Sequence, residues 1–163
     1  MNNMKTSLNV SMEYLFSLIE DEIESGKRAI ITVTGNSMKP FLKHERDQVI
    51  LEKAEPESLK RGDVVLYVRK DGQFVLHRIC KKEQNKFTFL GDAQIVKEQN
   101  IYARQIKAKA VGFIRKGKKQ DCKSFKYNVY KSFWTMTFPF RWFTIKAIGK
   151  VKRTIMKIFN KKV

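Results

Sequence analysis

The sequence predicts a mainly β (α+β) fold, in which an antiparallel β domain lies between an N-terminal helix and a C-terminal basic amphipathic helix. Three observations lead to this prediction. Apolar residues at helical spacing precede residue 29, short apolar segments separated by glycine-containing turns fill residues 29–115, and a basic, aromatic-rich segment follows. We therefore divide the chain into an N-terminal helix (1–28), a β domain (29–115) and a basic linker with a helical tail (116–163).

The first helix is predicted over Ser11–Gly26. Ser11 suits the N-cap, and Gly26 suits the position at which a helix stops. The acidic residues of this segment lie mostly on the face opposite the apolar one, as in a helix packed against a core. The apolar residues at helical spacing are Met12, Leu15, Phe16, Leu18, Ile19 and Ile23.

The β domain is predicted from six short segments that are rich in β-branched and apolar residues. The pair Asp71-Gly72 between two of these segments is a strong signal for a hairpin. Further turns are indicated around Gly62 and Gly91. The predicted strands are Ala29–Thr34, Gln48–Glu52, Asp63–Arg69, Gln73–Cys80, Lys86–Leu90 and Ile106–Arg115.

The net charge of +18 is unevenly distributed along the chain. Residues 116–163 hold 14 lysines and arginines against one acidic residue, whereas residues 1–115 hold 20 against 15. Residues 116–126 resemble a basic linker, and Pro139 suits the first turn of a basic amphipathic helix of about 20 residues. Such a segment favours an acidic partner, either lipid headgroups or nucleic-acid phosphates.

The sequence also indicates a cellular setting. The N-terminal residues lack the apolar core of a secretory signal, and no run of about 18 uncharged apolar residues predicts a spanning helix. We therefore expect a cytoplasmic protein, either free or peripheral at the inner face of the membrane. Cys80 and Cys122 fit neither a metal-binding spacing nor a disulfide framework, so no metal or cofactor is expected.

A nucleophile is suggested by the turn that follows the first predicted strand. Gly35 allows a sharp change of direction, Pro40 stiffens the exit, and Ser37 places a hydroxyl between them. The N–H group of Ser37 is a candidate donor to an oxyanion. Considered alone, this pattern fits an ordinary turn containing a serine better than it fits a nucleophile.

A general base is suggested by His77, which lies within the predicted strand Gln73–Cys80. Imidazole can accept a serine proton at neutral pH, because its ordinary pKa is about 6.5. The alternative is a buried histidine that only satisfies backbone groups. The other histidine, His44, lies in a charged stretch that resembles a solvated loop.

Four motifs follow one another along residues 35–93. They are Gly35-Asn36-Ser37-Met38-Lys39-Pro40, Arg61-Gly62-Asp63-Val64-Val65, Leu76-His77-Arg78-Ile79 and Leu90-Gly91-Asp92-Ala93. In this order they resemble the motifs of type I signal peptidases and LexA-like self-cleaving repressors, which form one serine peptidase superfamily. A lysine base occupies the third motif in the bacterial housekeeping enzymes and LexA-like proteins, whereas the archaeal, endoplasmic-reticulum and sporulation-type branch has histidine there, as this sequence does. The resemblance implies a signal-peptidase-like β domain with Ser37 as nucleophile and His77 as base.

The resemblance also implies an acid that orients the histidine, and two residues are candidates. Asp92 lies in the fourth motif, where it can instead stabilise the turn, and Glu98 lies near the position at which the histidine branch has its aspartate. Either carboxylate could fix the imidazole tautomer. Met38 and Pro40 are expected to support the nucleophile turn, with Met38 also bordering the substrate groove.

We therefore expect a serine endopeptidase that cleaves a leader or signal segment from a peptide or protein substrate. The basic tail is expected to contact an anionic membrane surface, whereas nucleic acid is a weaker candidate partner because the chain has no recognisable helix-turn-helix. The alternatives are a non-catalytic membrane- or nucleic-acid-binding protein on a peptidase scaffold and a LexA-like self-cleaving regulator.

Overall fold

The computed structural model describes residues 12–143, and it describes side chains from Phe16 onward. Two α-helices, eight strands and three single-turn 3-10 helices make up this part of the chain, which confirms the mainly β (α+β) prediction. The α-helices and strands are named here. They are α1 (Met12–Glu24), β1 (Ala29–Thr32), β2 (Gln48–Lys53), β3 (Val64–Val68), β4 (Phe74–Glu83), β5 (Lys86–Leu90), β6 (Glu98–Tyr102), β7 (Ile106–Arg115), β8 (Lys118–Asp121) and α2 (Phe125–Met136).

All eight strands belong to one antiparallel sheet. Its strand order is β1-β2-β7-β3-β4-β5-β6, and β8 pairs with β7 outside this path. The hairpin predicted at Asp71-Gly72 joins β3 to β4, where Val68 pairs with Phe74. Gly72 has a φ of +83°, which is the left-handed conformation that favours glycine in such turns.

The sheet separates two hydrophobic clusters, and β3 contributes side chains to both. Its residues alternate between them, with Val64 and Leu66 in the cluster beneath α1 and Val65 and Tyr67 in the other. Because both faces of β3 are buried, its sequence is a continuous apolar run rather than an alternating one.

The segment 116–126 differs from the predicted basic linker. Residues 118–121 form β8 on the edge of β7, so the sheet continues past Arg115, and α2 begins at Phe125. Ser124 caps α2 by accepting a hydrogen bond from the Tyr127 N–H. The linker prediction is therefore wrong for this segment. Its basic composition suggested a linker, but pairing with β7 makes part of it a strand and the Ser124 cap starts a helix.

The strand β6 was also not predicted, since Glu98-Gln99-Asn100 is polar and has no apolar alternation. The predicted C-terminal helix beyond Pro139 lies largely outside the described residues. Within the described part of the chain, no helix is both long enough and apolar enough to span a bilayer.

Candidate active site

The nucleophile turn follows β1 and holds Ser37 half-buried at its tip. Gly35 has a φ of +81°, and its N–H donates to Nδ1 of His44 at 3.0 Å. His44, which the sequence placed in a solvated loop, therefore stabilises the start of this turn through its ring nitrogen. Met38 is buried beneath Ser37, whereas Pro40 is exposed and follows a cis peptide bond.

A buried carboxylate stabilises the loop that closes this turn. Asp47 accepts hydrogen bonds from the N–H groups of Lys43 and Lys116, at 2.9 and 3.2 Å. It also accepts two hydrogen bonds from the guanidinium of Arg46. Burial alone would raise the pKa of Asp47, but these donors outweigh it and lower the pKa to about 2.

The turn at Gly91 is packed directly on the backbone of the nucleophile. The Ala93 N–H donates to the Ser37 carbonyl oxygen at 2.7 Å. A Cβ atom at Gly91 would lie 2.8 Å from the same oxygen, which is closer than ordinary contact allows. The fourth sequence motif therefore supports the nucleophile through main-chain contact. Among the described residues, no acceptor faces the Ser37 N–H, so this group is available to an oxyanion.

His77 lies on β4, pairs with Val65 of β3 and is almost completely buried. Its Nδ1 atom is 3.1 Å from the Tyr67 hydroxyl and 3.3 Å from Oε1 of Glu98. Both oxygen atoms can accept a hydrogen bond from the Nδ1–H group. This arrangement favours the tautomer in which Nδ1 is protonated and Nε2 is free to act as a base.

Burial determines the titration of His77. It lowers the pKa of the imidazole from 6.5 to about 4, although the negative charge of Glu98 opposes the shift. The positive charge of Arg69 lowers the pKa further. His77 is therefore neutral at pH 7, which is the form that accepts a proton from serine.

The carboxylate beside His77 is held by Arg69, which directly follows β3. Arg69 approaches Glu98 with two guanidinium nitrogens, of which Nε is 2.8 Å from Oε2. Burial would raise the pKa of Glu98, but the hydrogen bonds from Arg69 and Tyr67 outweigh it, and the pKa is lowered. Glu98 is consequently ionised at neutral pH and presents a fixed negative charge to the imidazole.

Asp92 has different partners. Both its oxygens accept hydrogen bonds from the guanidinium of Arg78 at 2.9 Å, and both side chains are fully buried. The hydroxyl of Tyr130 on α2 also donates to Asp92, and Arg78 reaches the Gly62 carbonyl and the Tyr127 hydroxyl. Of the two candidate acids, Glu98 thus faces His77, whereas Asp92 joins β4, the Gly91 turn and α2.

Ser37 and His77 line the same cleft, which has a volume of about 640 Å³. No hydrogen bond joins their side chains within the described residues, as is common before a substrate binds. Residues of β1, the terminal strand among those described, border this cleft, and so do Phe74–Leu76 of β4 and Met38. On one side, Phe16 of α1 stacks on Phe74 with ring centroids 3.8 Å apart.

Sequence reasoning missed Tyr67 and Arg69. Tyr67 belongs to the apolar run of β3, which gave no sign that its hydroxyl would meet an imidazole across a hairpin. In the sequence, Arg69 resembled an ordinary exposed basic residue before the Asp71-Gly72 turn. Only the antiparallel pairing of β3 and β4 provides a signal, because it brings residues 67 and 77 to the same region.

A serine on a tight turn, a buried histidine with an oriented Nδ1 and an eight-stranded antiparallel sheet define a scaffold of the LexA- and signal-peptidase-like serine peptidase superfamily. The family described as Peptidase S24-like matches residues 4–114, which is more than half of the chain. The chain belongs to this family. No curated protein matches the sequence.

Proposed function

We propose that this protein is a serine endopeptidase that removes a leader or signal segment from a peptide or protein substrate. The observation that supports it most directly is the alignment of Glu98 and His77 beside a cleft that also exposes Ser37. A nucleophile, a base and a carboxylate that orients the base are the components of acyl-transfer hydrolysis.

In the proposed mechanism, the Ser37 hydroxyl attacks the scissile carbonyl carbon while Nε2 of His77 takes its proton. Nδ1–H of His77 donates to Glu98, so the carboxylate stabilises the imidazolium as it forms. The Ser37 N–H contributes to the binding of the tetrahedral oxyanion. His77 then returns the proton to the leaving amine, and water hydrolyses the acyl-enzyme in a second cycle.

The cleft suits an extended substrate. Among the strands of residues 12–143, β1 is the terminal strand of the sheet, and no described strand pairs with its outer edge, which can therefore add a substrate strand. Apolar side chains from β1, α1 and β4 line the cleft, among them Ile31, Phe16 and Leu76. A segment with small or apolar residues near its cleavage site, as in leader and signal sequences, fits this lining. The proposal that the substrates are leader or signal segments rests on this lining and on the resemblance of the four motifs to those of signal peptidases.

The test is cleavage of a library of extended peptides, with products identified by mass spectrometry. We expect the wild type to cleave peptides with apolar residues near the scissile bond, and Ser37→Ala and His77→Ala to be inactive. Lys43→Ala, an exposed substitution near the nucleophile turn, is the matched control and should retain activity. A wild type that cleaves no peptide and reacts with no serine-directed probe would refute the proposal.

The Peptidase S24-like match also supports a second candidate, a self-cleaving regulator. In that case the substrate is a segment of the same chain. The intact mass of the purified protein, followed over hours between pH 7 and 9, distinguishes the two. A leader peptidase keeps its mass, whereas a self-cleaving protein yields two fragments in the wild type and none in Ser37→Ala.

A further inference from the structure

α2 has two apolar faces. The inner face packs Tyr127 and Trp134 against the sheet, and both side chains are buried. The other apolar residues of the helix point away from the sheet and are exposed: Phe125 at 82%, Val129 at 53%, Phe133 at 61% and Met136 at 75%. Because these four follow one another at intervals of three or four residues, they form a continuous stripe, here called the α2 outer stripe.

Exposed aromatic residues also follow the end of the helix. Phe140 and Phe143 are more than 60% exposed, and Trp142 is 46% exposed. A surface helix normally presents polar residues to water, so this many large exposed apolar groups indicate a surface that something else covers. The aromatic content is typical of groups that lie at the boundary between lipid headgroups and acyl chains.

The charge around the stripe indicates which surface covers it. Lys123 and Lys126 flank Phe125 and are exposed, and β8 adds the exposed Lys118 and Lys119. In sequence, residues 144–163, which follow the stripe directly, contain seven lysines and arginines and no acidic residue. An apolar stripe with basic residues beside it and next to it in sequence is complementary to a bilayer with anionic headgroups.

We propose that the α2 outer stripe docks on the surface of an anionic lipid bilayer, with its aromatic side chains at the acyl boundary and the surrounding lysines on the headgroups. α2 contacts the catalytic region through Tyr130, which donates to Asp92. Docking would therefore hold the peptidase scaffold close to the membrane. The proposal does not depend on catalysis, so it can be tested separately from the peptidase activity.

The experiment is flotation of the full-length protein with vesicles of phosphatidylcholine alone or with phosphatidylglycerol added. We expect binding to the anionic vesicles at low salt, little binding to neutral vesicles and partial release at high salt. Phe125→Ser with Phe133→Ser should reduce the bound fraction by about tenfold or more. Lys123→Gln with Lys126→Gln should weaken binding to anionic vesicles and leave residual binding to neutral vesicles unchanged.

The matched control replaces two exposed apolar residues outside the stripe, Leu18→Ser with Val96→Ser, and should bind as the wild type does. Circular dichroism shows that each variant is folded. A wild type that stays in the aqueous fraction, or a Phe125→Ser/Phe133→Ser variant that floats like the wild type, overturns the proposal. Sedimentation measures the oligomeric state in parallel. A wild-type dimer that becomes a monomer in Phe125→Ser/Phe133→Ser would show that the α2 outer stripe binds a second copy of the chain, which also overturns the proposal.

Discussion

The imidazole of His77 is bounded on its Nδ1 side by two oxygens of different chemistry. The phenol of Tyr67 is neutral, because burial raises its pKa above the ordinary value. The carboxylate of Glu98 is ionised, because Arg69 and Tyr67 lower its pKa. Tyr67 can therefore donate to Glu98 while Nδ1–H of His77 is shared between both oxygens. Such a network fixes the ring orientation more firmly than one hydrogen bond does.

The first prediction concerns Glu98. In Glu98→Gln, the carboxamide keeps the volume of the side chain but no longer stabilises the imidazolium, and it can donate to Nδ1 and favour the wrong tautomer. We expect kcat to fall by about 10³- to 10⁴-fold with a small change in KM. The measurement is steady-state cleavage of a peptide selected from the library.

Asp92→Asn provides the contrast to Glu98→Gln. It leaves the buried Arg78 guanidinium without its counter-charge, so the free energy of unfolding should decrease by about 3–5 kcal/mol. Urea denaturation monitored by tryptophan fluorescence measures this loss. If Glu98→Gln retains full kcat, or if Asp92→Asn is as stable as the wild type, the assignment of roles to the two acids is wrong.

The second prediction is the acid limit of activity. The pKa of His77 is about 4, because burial disfavours its charged form. The neutral base therefore persists below pH 6.5, and kcat/KM should remain high to about pH 5 and fall only near pH 4. A fall centred near pH 6.5 would show that the free enzyme exposes His77 to water. Circular dichroism at each pH separates titration from unfolding.

At the scale of elements, the site depends on main-chain contact between two turns. The third prediction is that Gly91→Ala displaces the backbone of Ser37, because the new Cβ would meet the Ser37 carbonyl oxygen at 2.8 Å. We expect kcat to fall by about 10- to 100-fold and stability by about 1–3 kcal/mol. The same cleavage and urea assays measure both quantities.

Gly112→Ala is the control for Gly91→Ala. Gly112 lies on β7 and is buried, and a Cβ atom added there would lie 3.2 Å from its nearest neighbour, the end of the Ile50 side chain. The Gly112→Ala substitution should lower the free energy of unfolding but leave kcat unchanged. Equal effects of the two substitutions on kcat would mean that the Gly91 turn does not position Ser37.

The helix α1 forms one wall of the cleft, and the fourth prediction concerns this wall. Phe16→Ala removes the ring that stacks on Phe74 and widens the cleft on that side. We expect KM for the preferred peptide to rise by about fivefold or more, while peptides with bulkier residues near the scissile bond become better substrates. Leu18→Ala, on the exposed side of the same helix, should change neither the KM nor the preference among peptides. An unchanged library profile for Phe16→Ala would exclude α1 from substrate selection.

The elements also show what the sequence could and could not predict. α1, the β3–β4 hairpin and the remaining apolar strands follow from periodicity and turn chemistry, which are local properties of the chain. β6 and β8 do not, because each is a short polar edge strand whose formation depends on pairing with β5 or β7. α2 was obscured by its apolar residues on two opposite faces.

The same reasoning applies to the site. Ser37 and His77 could be proposed because their motifs are local. The choice between Asp92 and Glu98 could not be made from sequence, since it depends on which carboxylate the sheet brings to within 3.3 Å of Nδ1. Arg69 and Tyr67 contact Glu98 from a distant part of the sequence, and no sequence spacing indicates that contact.

At the scale of the whole molecule, the buried base must affect stability against acid. The unfolded chain binds a proton on His77 below about pH 6.5, whereas the folded protein binds it only near pH 4. Between these values the unfolded state holds more protons, so the free energy of unfolding decreases as the pH falls. The full shift corresponds to about 3 kcal/mol.

Glu98 and Asp47 add to this acid sensitivity at lower pH. Both carboxyl groups have lowered pKa values in the folded protein, so the stability that they contribute above their ordinary pKa is lost as the pH falls through the folded value, which is about 2 for Asp47. The contribution of His77 begins near pH 6.5, above the ordinary pKa of both carboxyl groups, and a variant without the imidazole separates it from theirs.

The fifth prediction is therefore a difference between two titrations of stability. The free energy of unfolding of the wild type, measured in urea from pH 7 to pH 4, should fall by about 3 kcal/mol more than that of His77→Gln. His77→Gln keeps a polar side chain near Tyr67 and Glu98 but binds no proton in this range. Parallel curves for the two proteins would mean that His77 titrates alike in the folded and unfolded states. Burial of the imidazole would then not be what keeps the proposed base neutral.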